Sequence, residues 1–106
     1  MLEQKRVAQA WRDRWDSFTL VTPNWTLDLP GSPYLGDDPE GHVHRDQIVA
    51  YLEKYAAGVG VPVHEGEQVQ HLRRGGACFE LATSEGHREA GVVVVCTGAG
   101  GGGLDA

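Results

Sequence analysis

Near the end of the chain the sequence reads Val92-Val93-Val94-Val95-Cys96-Thr97-Gly98-Ala99, and this stretch decides the fold class that the sequence predicts. A short, wholly apolar run of β-branched residues that ends at Thr-Gly is typical of a buried parallel strand. The loop after such a strand lies at the carboxyl edge of the sheet, where open α/β sheets bind their ligands. The valine run therefore predicts the final strand of an α/β sheet, beside a ligand site.

Upstream of the valine run, the sequence predicts a helix, a strand and an antiparallel meander. The helix spans residues 45–57 and stops at Gly58 and Gly60. A strand at 61–64 follows, and we expect the valine strand to lie parallel to it with the meander inserted between them. The meander strands are predicted at 69–72, 78–83 and 87–90. The apolar residues expected to form the core are Ile48, Val49, Leu52, Tyr55, Val61, Val63 and the valines at 92–95.

The first forty residues carry weaker signals. Apolar residues at helical spacing predict an amphipathic helix or helical turn within 4–15, and residues 17–21 have weak strand character. Four prolines fall within residues 22–39, which predicts a long irregular segment. A loop of that length in a compact domain is usually functional.

Composition and charge exclude several classes of function. A chain of 106 residues forms one domain at most, and its net charge of −6 argues against nucleic acid or an anionic membrane as the main partner. The longest apolar run is far too short for a membrane span. Cys78 and Cys96 form neither a metal motif nor a disulfide framework, which favours a reducing, cytoplasmic location. The five histidines are interpreted as surface or loop residues, so we expect no metal site, and no catalytic nucleophile is recognisable.

Several stretches in order resemble one family of proteins. They are Leu2-Glu3-Gln4, Trp11-Arg12-Asp13-Arg14-Trp15-Asp16-Ser17-Phe18, Thr22-Pro23-Asn24-Trp25, Leu29-Pro30-Gly31, Arg45-Asp46-Gln47-Ile48-Val49-Ala50-Tyr51-Leu52 and the 93–98 strand. Together they resemble the bacterial flavin-containing monooxygenase-like flavoproteins, which are often described as flavoproteins involved in potassium transport. The resemblance covers residues 1 to about 99 without a break.

The resemblance implies a Rossmann-like FAD-binding domain of the two-dinucleotide-binding type, in an enzyme that reduces FAD with NADPH, then activates oxygen and oxidises a small molecule. Within that family, the acidic residue after the second strand holds the FAD ribose, which would be Glu3. The tryptophan–arginine stretch lies along the cofactor, the first meander strand offers its backbone to adenine, and the final Thr-Gly approaches the phosphate and ribose. The FAD-binding residues implied in this sequence are Glu3, Trp11, Arg12, Arg14, Trp15, Val69, Thr97 and Gly98.

Departures from the family pattern shape the expected function. The family begins with a strand and a GxGxxG motif before the position of Glu3, whereas this sequence starts at Met1. The letters GxGxxG do occur at 98–103, but only three residues follow, too few for the helix that the motif needs. We therefore expect a partial FAD-binding domain at 1–99 that lacks the first βα unit, and a disordered glycine-rich tail at 100–106. Such a chain would be an inactive part of a monooxygenase or oxidoreductase; the alternative is a small stand-alone, non-enzymatic binding module.

Overall fold

The computed structural model describes residues 1–98 of the chain and divides it into two compact units. One unit comprises Met1–Arg6 together with the chain from Val63 onward, and the other is Val7–Pro62. The glycine-rich segment expected at 100–106 lies outside the described residues. Among residues 1–98, no helix is both long enough and apolar enough to cross a membrane.

The unit that contains the N-terminus is built from two small sheets. Strand β1 (Leu2–Glu3) pairs in parallel with β4 (His64–Glu65). Strands β5 (Val69–Gly75), β6 (Cys78–Thr83) and β7 (Gly86–Ala90) form an antiparallel sheet in the order β5-β6-β7, so the predicted meander is present. The β5–β6 turn places Gly76 at a φ of +60°, and a positive φ at the first central position is the geometry of a type II′ hairpin.

The other unit is organised by one long helix. It contains α1 (Gln9–Arg12), a 3₁₀ turn (Asn24–Thr26), the short hairpin β2 (Asp28–Leu29) and β3 (Ser32–Pro33), and α2 (Arg45–Gly58). The prediction of a helix at 45–57 is thereby confirmed within one residue at its end.

The start of α2 is fixed by its own side chains. The Nδ1 atom of His44 accepts a hydrogen bond from the backbone N–H of Asp46 at 3.2 Å. The Gln47 side chain accepts one from the backbone N–H of His44 at 3.0 Å. The backbone N–H groups of His44 and Asp46 therefore both have side-chain acceptors. After the helix ends at Gly58, Gly60 has a φ of +69°, which a glycine adopts at no steric cost.

The core of the helical unit forms where two segments meet α2. Phe18, Leu20 and Ile48 are buried, and half-buried apolar side chains pack against them: Trp11, Leu27, Val43 and Leu52. The weak strand expected at 17–21 is reduced to one antiparallel bridge between Thr19 and His44. The prediction that Ile48, Val49 and Leu52 lie on the inner side of the helix is confirmed, but the cluster that Ile48 and Leu52 join also contains Phe18 and Leu20, which the sequence did not predict as core.

Two sequence predictions about strands are wrong. Residues 92–95 form no strand, and Val92, Val94 and Val95 are exposed. A β-prone run becomes a strand only where a neighbouring strand supplies a hydrogen-bonding partner, and no residue within 1–98 pairs with this run. The strand expected at 61–64 is shortened to β4 because Pro62 has no N–H to donate to a ladder, and Val61 is exposed.

The helix expected within 4–15 is also shorter than predicted. Ala8 has a φ of +65°, in the left-handed region that a right-handed helix cannot contain. The helix therefore begins only at Gln9 and ends after one turn at Arg12.

Candidate functional site

Glu3 stands at the end of β1, next to the loop that follows a parallel strand. Its backbone carbonyl accepts a hydrogen bond from the N–H of Glu67 at 3.0 Å. One carboxylate oxygen, Oε1, accepts a hydrogen bond from the backbone N–H of Lys5 at 3.1 Å. Because the side chain is half-buried and tied to its own loop, the carboxylate has a defined position with part of its surface facing solvent.

Glu67 connects the same region to the meander. Its side chain is only 4% exposed, and its two oxygens accept hydrogen bonds from Nε and Nη2 of Arg88 at 2.6 and 2.7 Å. The hydroxyl of Thr83 donates to Oε2 at 2.7 Å. A buried carboxylate is tolerated where charged and polar donors satisfy it, and a bidentate arginine is the best such donor.

These contacts control the ionisation of Glu67. The hydrogen bonds from Arg88, followed by that from Thr83, lower the pKa of the Glu67 carboxyl to about 2 against the opposing effect of burial. The same pair raises the pKa of the Arg88 guanidinium. Glu67 is thus a fixed negative charge that joins the end of β1 to strands β6 and β7 of the meander.

Three further residues implied by the family lie in this unit. Val69 begins β5, two residues after Glu67, and is half-buried. Strand β5 is at the edge of its sheet, so one side of its backbone is not used by the ladder. Thr97 and Gly98 are exposed, and Gly98 has a φ of +66°; its chain neighbours aside, no atom of the described residues lies within 4 Å of the position that a Cβ would occupy.

The tryptophan–arginine stretch forms an aromatic cluster in the other unit. The ring of Trp15 meets the ring of Phe18 edge-on with centroids 4.9 Å apart, and Trp11 lies 6.0 Å from Phe18. The guanidinium carbon of Arg14 is 5.5 Å from the ring centroids of both Trp11 and Phe18. A planar cation over aromatic faces is held in orientation without losing its charge.

Arg12 is bound by partners outside the aromatic cluster. Its Nε donates to the carbonyl of Val7 at 3.1 Å, and its Nη2 pairs with Glu53 of α2 at 2.5 Å. The pair borders a shallow groove of about 360 Å³ along α2, which Arg45, Asp46, Val49 and Ala50 also line. The guanidinium is therefore already engaged by a carboxylate, which weakens its suitability as a phosphate ligand.

The residues implied by the family consequently fall into two groups. Glu3 and Val69 are joined through the Glu67 segment, and Thr97 and Gly98 lie in the same unit. Trp11, Arg12, Arg14 and Trp15 lie in the other unit. Sequence reasoning missed Glu67, because its partners lie 16 and 21 residues away and only the strand register brings them together.

Comparison with known proteins places this geometry in a family. A family model described as FAD dependent oxidoreductase matches residues 3–106. An uncharacterized CzcO-like oxidoreductase of Geobacillus kaustophilus is 38% identical over 96 residues, which cover 91% of this chain and 27% of that protein. The chain thus spans about a quarter of the length of that relative.

Solved structures agree with the sequence match. A flavin-containing monooxygenase from Stenotrophomonas maltophilia superimposes with a TM-score of 0.73 at 27% identity, covering 83% of this chain and 27% of that one. The bacillithiol disulfide reductase of Staphylococcus aureus superimposes with a TM-score of 0.77 at 16% identity, covering 85% and 27%, a likeness that concerns the fold alone. The mixed arrangement of helices and strands is accordingly part of a Rossmann-like flavoprotein domain, and the chain belongs to the family of FAD dependent oxidoreductases.

Proposed function

We propose that this chain supplies the adenosine-binding part of an FAD domain, in a flavoprotein that uses NADPH and dioxygen to oxidise a small molecule. By itself the chain would not catalyse the reaction. We also propose a cytoplasmic location, since Cys78 and Cys96 are both free thiols.

The observation that carries the proposal is the position of Glu3. A carboxylate at the carboxyl end of a parallel strand can accept hydrogen bonds from both hydroxyls of a ribose. The backbone of Glu67 and the Lys5 N–H fix the end of β1, so the carboxylate is oriented before a ligand arrives. Preorganisation of this kind raises affinity because less freedom is lost on binding.

Two backbone features support the same ligand. The outer side of the edge strand β5 offers N–H and C=O groups at Val69 that an adenine ring can pair with. Open space beside Gly98 would allow a phosphate or ribose to approach the main chain closely. An acceptor for ribose, an exposed backbone edge and an open glycine fit the adenosine half of FAD.

Chemistry would come from the cofactor, and binding and orientation from the protein. When bound, FAD would supply the redox chemistry: NADPH would provide two electrons and dioxygen would be the oxidant, with one oxygen atom entering the small molecule and the other leaving as water. Glu67 would hold the Glu3 and Val69 segments in register through its ion pair with Arg88. In the other unit, Arg14 keeps its charge over the Trp11 ring, so the cation that the family resemblance implies there stays available to an anionic ligand.

An extended chain tests the role of Glu3. A family-like strand, GxGxxG loop and helix are joined before Met1, and FAD binding is measured by isothermal titration. We expect Glu3→Ala to weaken FAD binding at least about tenfold, because two charge-assisted hydrogen bonds to a ribose are lost. Thr97→Val should have a smaller effect, since the backbone rather than the hydroxyl makes the close approach at Gly98.

A neighbouring carboxylate provides the control for charge. Glu65 on β4 is the register partner of Glu3 on β1, so Glu65→Ala removes a charge one strand away. That variant should bind FAD as the unmodified extended chain does. Equal affinity of the Glu3→Ala variant and the unmodified extended chain would overturn the assignment of Glu3.

The unextended chain tests the proposal that this sequence does not catalyse a reaction by itself. We expect it to bind FAD weakly or not at all, because the amides of the glycine-rich loop that hold the pyrophosphate are not in this sequence. With FAD present, it should oxidise NADPH no faster than free FAD does. A yellow protein that keeps stoichiometric FAD through gel filtration would contradict this expectation.

A further inference from the structure

A cluster of potential metal ligands lies on the meander, apart from the FAD residues. Glu80 on β6 is the register partner of Glu89 on β7, and His87 is two residues from Glu89 on the same strand. Residues two apart on a strand share a face, so the three side chains stand on one side of the sheet. One ligand atom from each lies within 4.8 Å of the others.

From this arrangement we propose that the polar face of the meander binds a Zn²⁺ ion through Glu80, His87 and Glu89. Like charges directly opposite each other on paired strands destabilise a sheet, and a cation between Glu80 and Glu89 would remove that repulsion. One imidazole nitrogen and two carboxylate oxygens suit zinc, which accepts three protein ligands and a water. Calcium and magnesium prefer more ligands, all of them oxygen.

The geometry requires only small adjustments for zinc to bind. Ligand atoms around a tetrahedral zinc ion stand about 3.4 Å apart, as its bond lengths dictate. Because His87 and Glu89 are exposed, their side chains can close the remaining distance by rotation. Glu80 is half-buried, and its carboxyl carbon lies 2.9 Å from the place where a Cβ on Gly75 would be, so the glycine leaves room for this carboxylate.

Arg73 is the group that competes with a cation here. It is the register partner of Glu80 on the other side, and its Nε and Nη2 both contact the Oε2 of Glu80. Its side chain is 76% exposed, so it can move into solvent when a metal binds. Because Arg73 competes with a metal for Glu80, removing the charge of Arg73 should strengthen zinc binding.

Isothermal titration of ZnCl₂ into the full chain at neutral pH tests the proposal. We expect one site in the wild type and a loss of affinity of at least about tenfold in His87→Gln and in Glu89→Gln, since even residues that only support a ligand cost that much. Arg73→Gln should bind zinc about threefold more tightly, from the loss of a nearby exposed positive charge. Circular dichroism checks that each variant keeps its fold.

Two control variants separate this cluster from other zinc-binding side chains. His42 lies in the other unit, where its ring contacts the carbonyl of Thr22, and Cys96 is an exposed thiol. His42→Gln and Cys96→Ser should bind zinc as the wild type does. The proposal is overturned if the wild type shows no zinc binding, if His87→Gln binds as tightly as the wild type, or if Cys96→Ser abolishes binding.

Discussion

Replacing Ile48 by alanine should destabilise the helical unit more than any surface change. Ile48 is 2% exposed and packs against Phe18 and Leu20. The substitution removes three buried carbon groups, each contributing about 0.8 kcal/mol, and the cavity left behind raises the cost to about 3 kcal/mol. A domain of this size has a free energy of unfolding of about 5–15 kcal/mol, so a large part of it would be lost.

Urea unfolding followed by tryptophan fluorescence measures this loss. All three tryptophans, Trp11, Trp15 and Trp25, lie in the Val7–Pro62 unit, so the signal reports on that unit. With a urea dependence of about 2 kcal/mol per molar, the midpoint should fall by about 1.5 M. Ile48→Val, which removes one carbon, should cost only about 1 kcal/mol.

A variant in the valine run is the control. Val94 lies in the other unit and is 78% exposed, so Val94→Asp should leave the urea transition followed by circular dichroism unchanged, although the sequence alone predicts that this charge unfolds the protein. A change below about 1 kcal/mol for Ile48→Ala would refute the packing of this core. Unfolding of the Val94→Asp variant would instead show that the valine run is buried.

Three other changes have defined outcomes. Glu67→Gln should lower the melting temperature at pH 7, and the difference from wild type should shrink as the pH falls from about 4.5 toward 2. The pKa of Glu67 is lowered in the folded state, so its stabilisation is complete above the pKa of the unfolded state and is lost as the pH falls through the pKa of the folded state. Circular dichroism melts at a series of pH values measure this difference, and a difference that is independent of pH would contradict it. Tyr51→Phe should cost about 1 kcal/mol and speed the hydrogen exchange of the Leu29 amide, since the Tyr51 hydroxyl accepts from that N–H at 3.0 Å; unchanged exchange would argue against the bond. Glu53→Gln should change the free energy of unfolding by less than about 1 kcal/mol in urea melts, because the ion pair of Glu53 with Arg12 is accessible to solvent. A larger loss would mean that the pair contributes more to stability than its exposure indicates.

Local signals in the sequence predicted the long helix and the meander well. The apolar face of α2 and the glycines that follow it act within a few residues of one another. The β5–β6 and β6–β7 hairpins are likewise set by short turns, and β6 was predicted with its observed bounds, Cys78–Thr83. Agreement between propensity, pattern and turn chemistry over a short range makes such elements predictable.

Side-chain partners across the sheet could not be predicted in the same way. The sequence shows Glu67, Thr83 and Arg88 as three ordinary polar residues, and only the register of β6 on β7 brings Arg88 and Thr83 to the same carboxylate. A slip of one residue in that register would turn Arg88 to the opposite face. For the same reason, the sequence did not predict that His87 lies near Glu80, because the spacing of the two residues along the chain does not indicate it.

The valine run shows why a strong pattern failed where weaker ones succeeded. Four consecutive β-branched residues describe a strand that is buried on both faces and paired on both edges, an environment that other parts of a sheet must supply. Within residues 1–98 the parallel sheet consists of β1 and β4, with two residues in each strand, and the run remains exposed. We therefore infer that the pattern suits a larger FAD-binding domain, in which the family resemblance implies a further parallel strand. On that reasoning the extended chain designed to recover FAD binding should also bury Val92, Val94 and Val95, and protection of their amides from hydrogen exchange would appear only when the added strand is present.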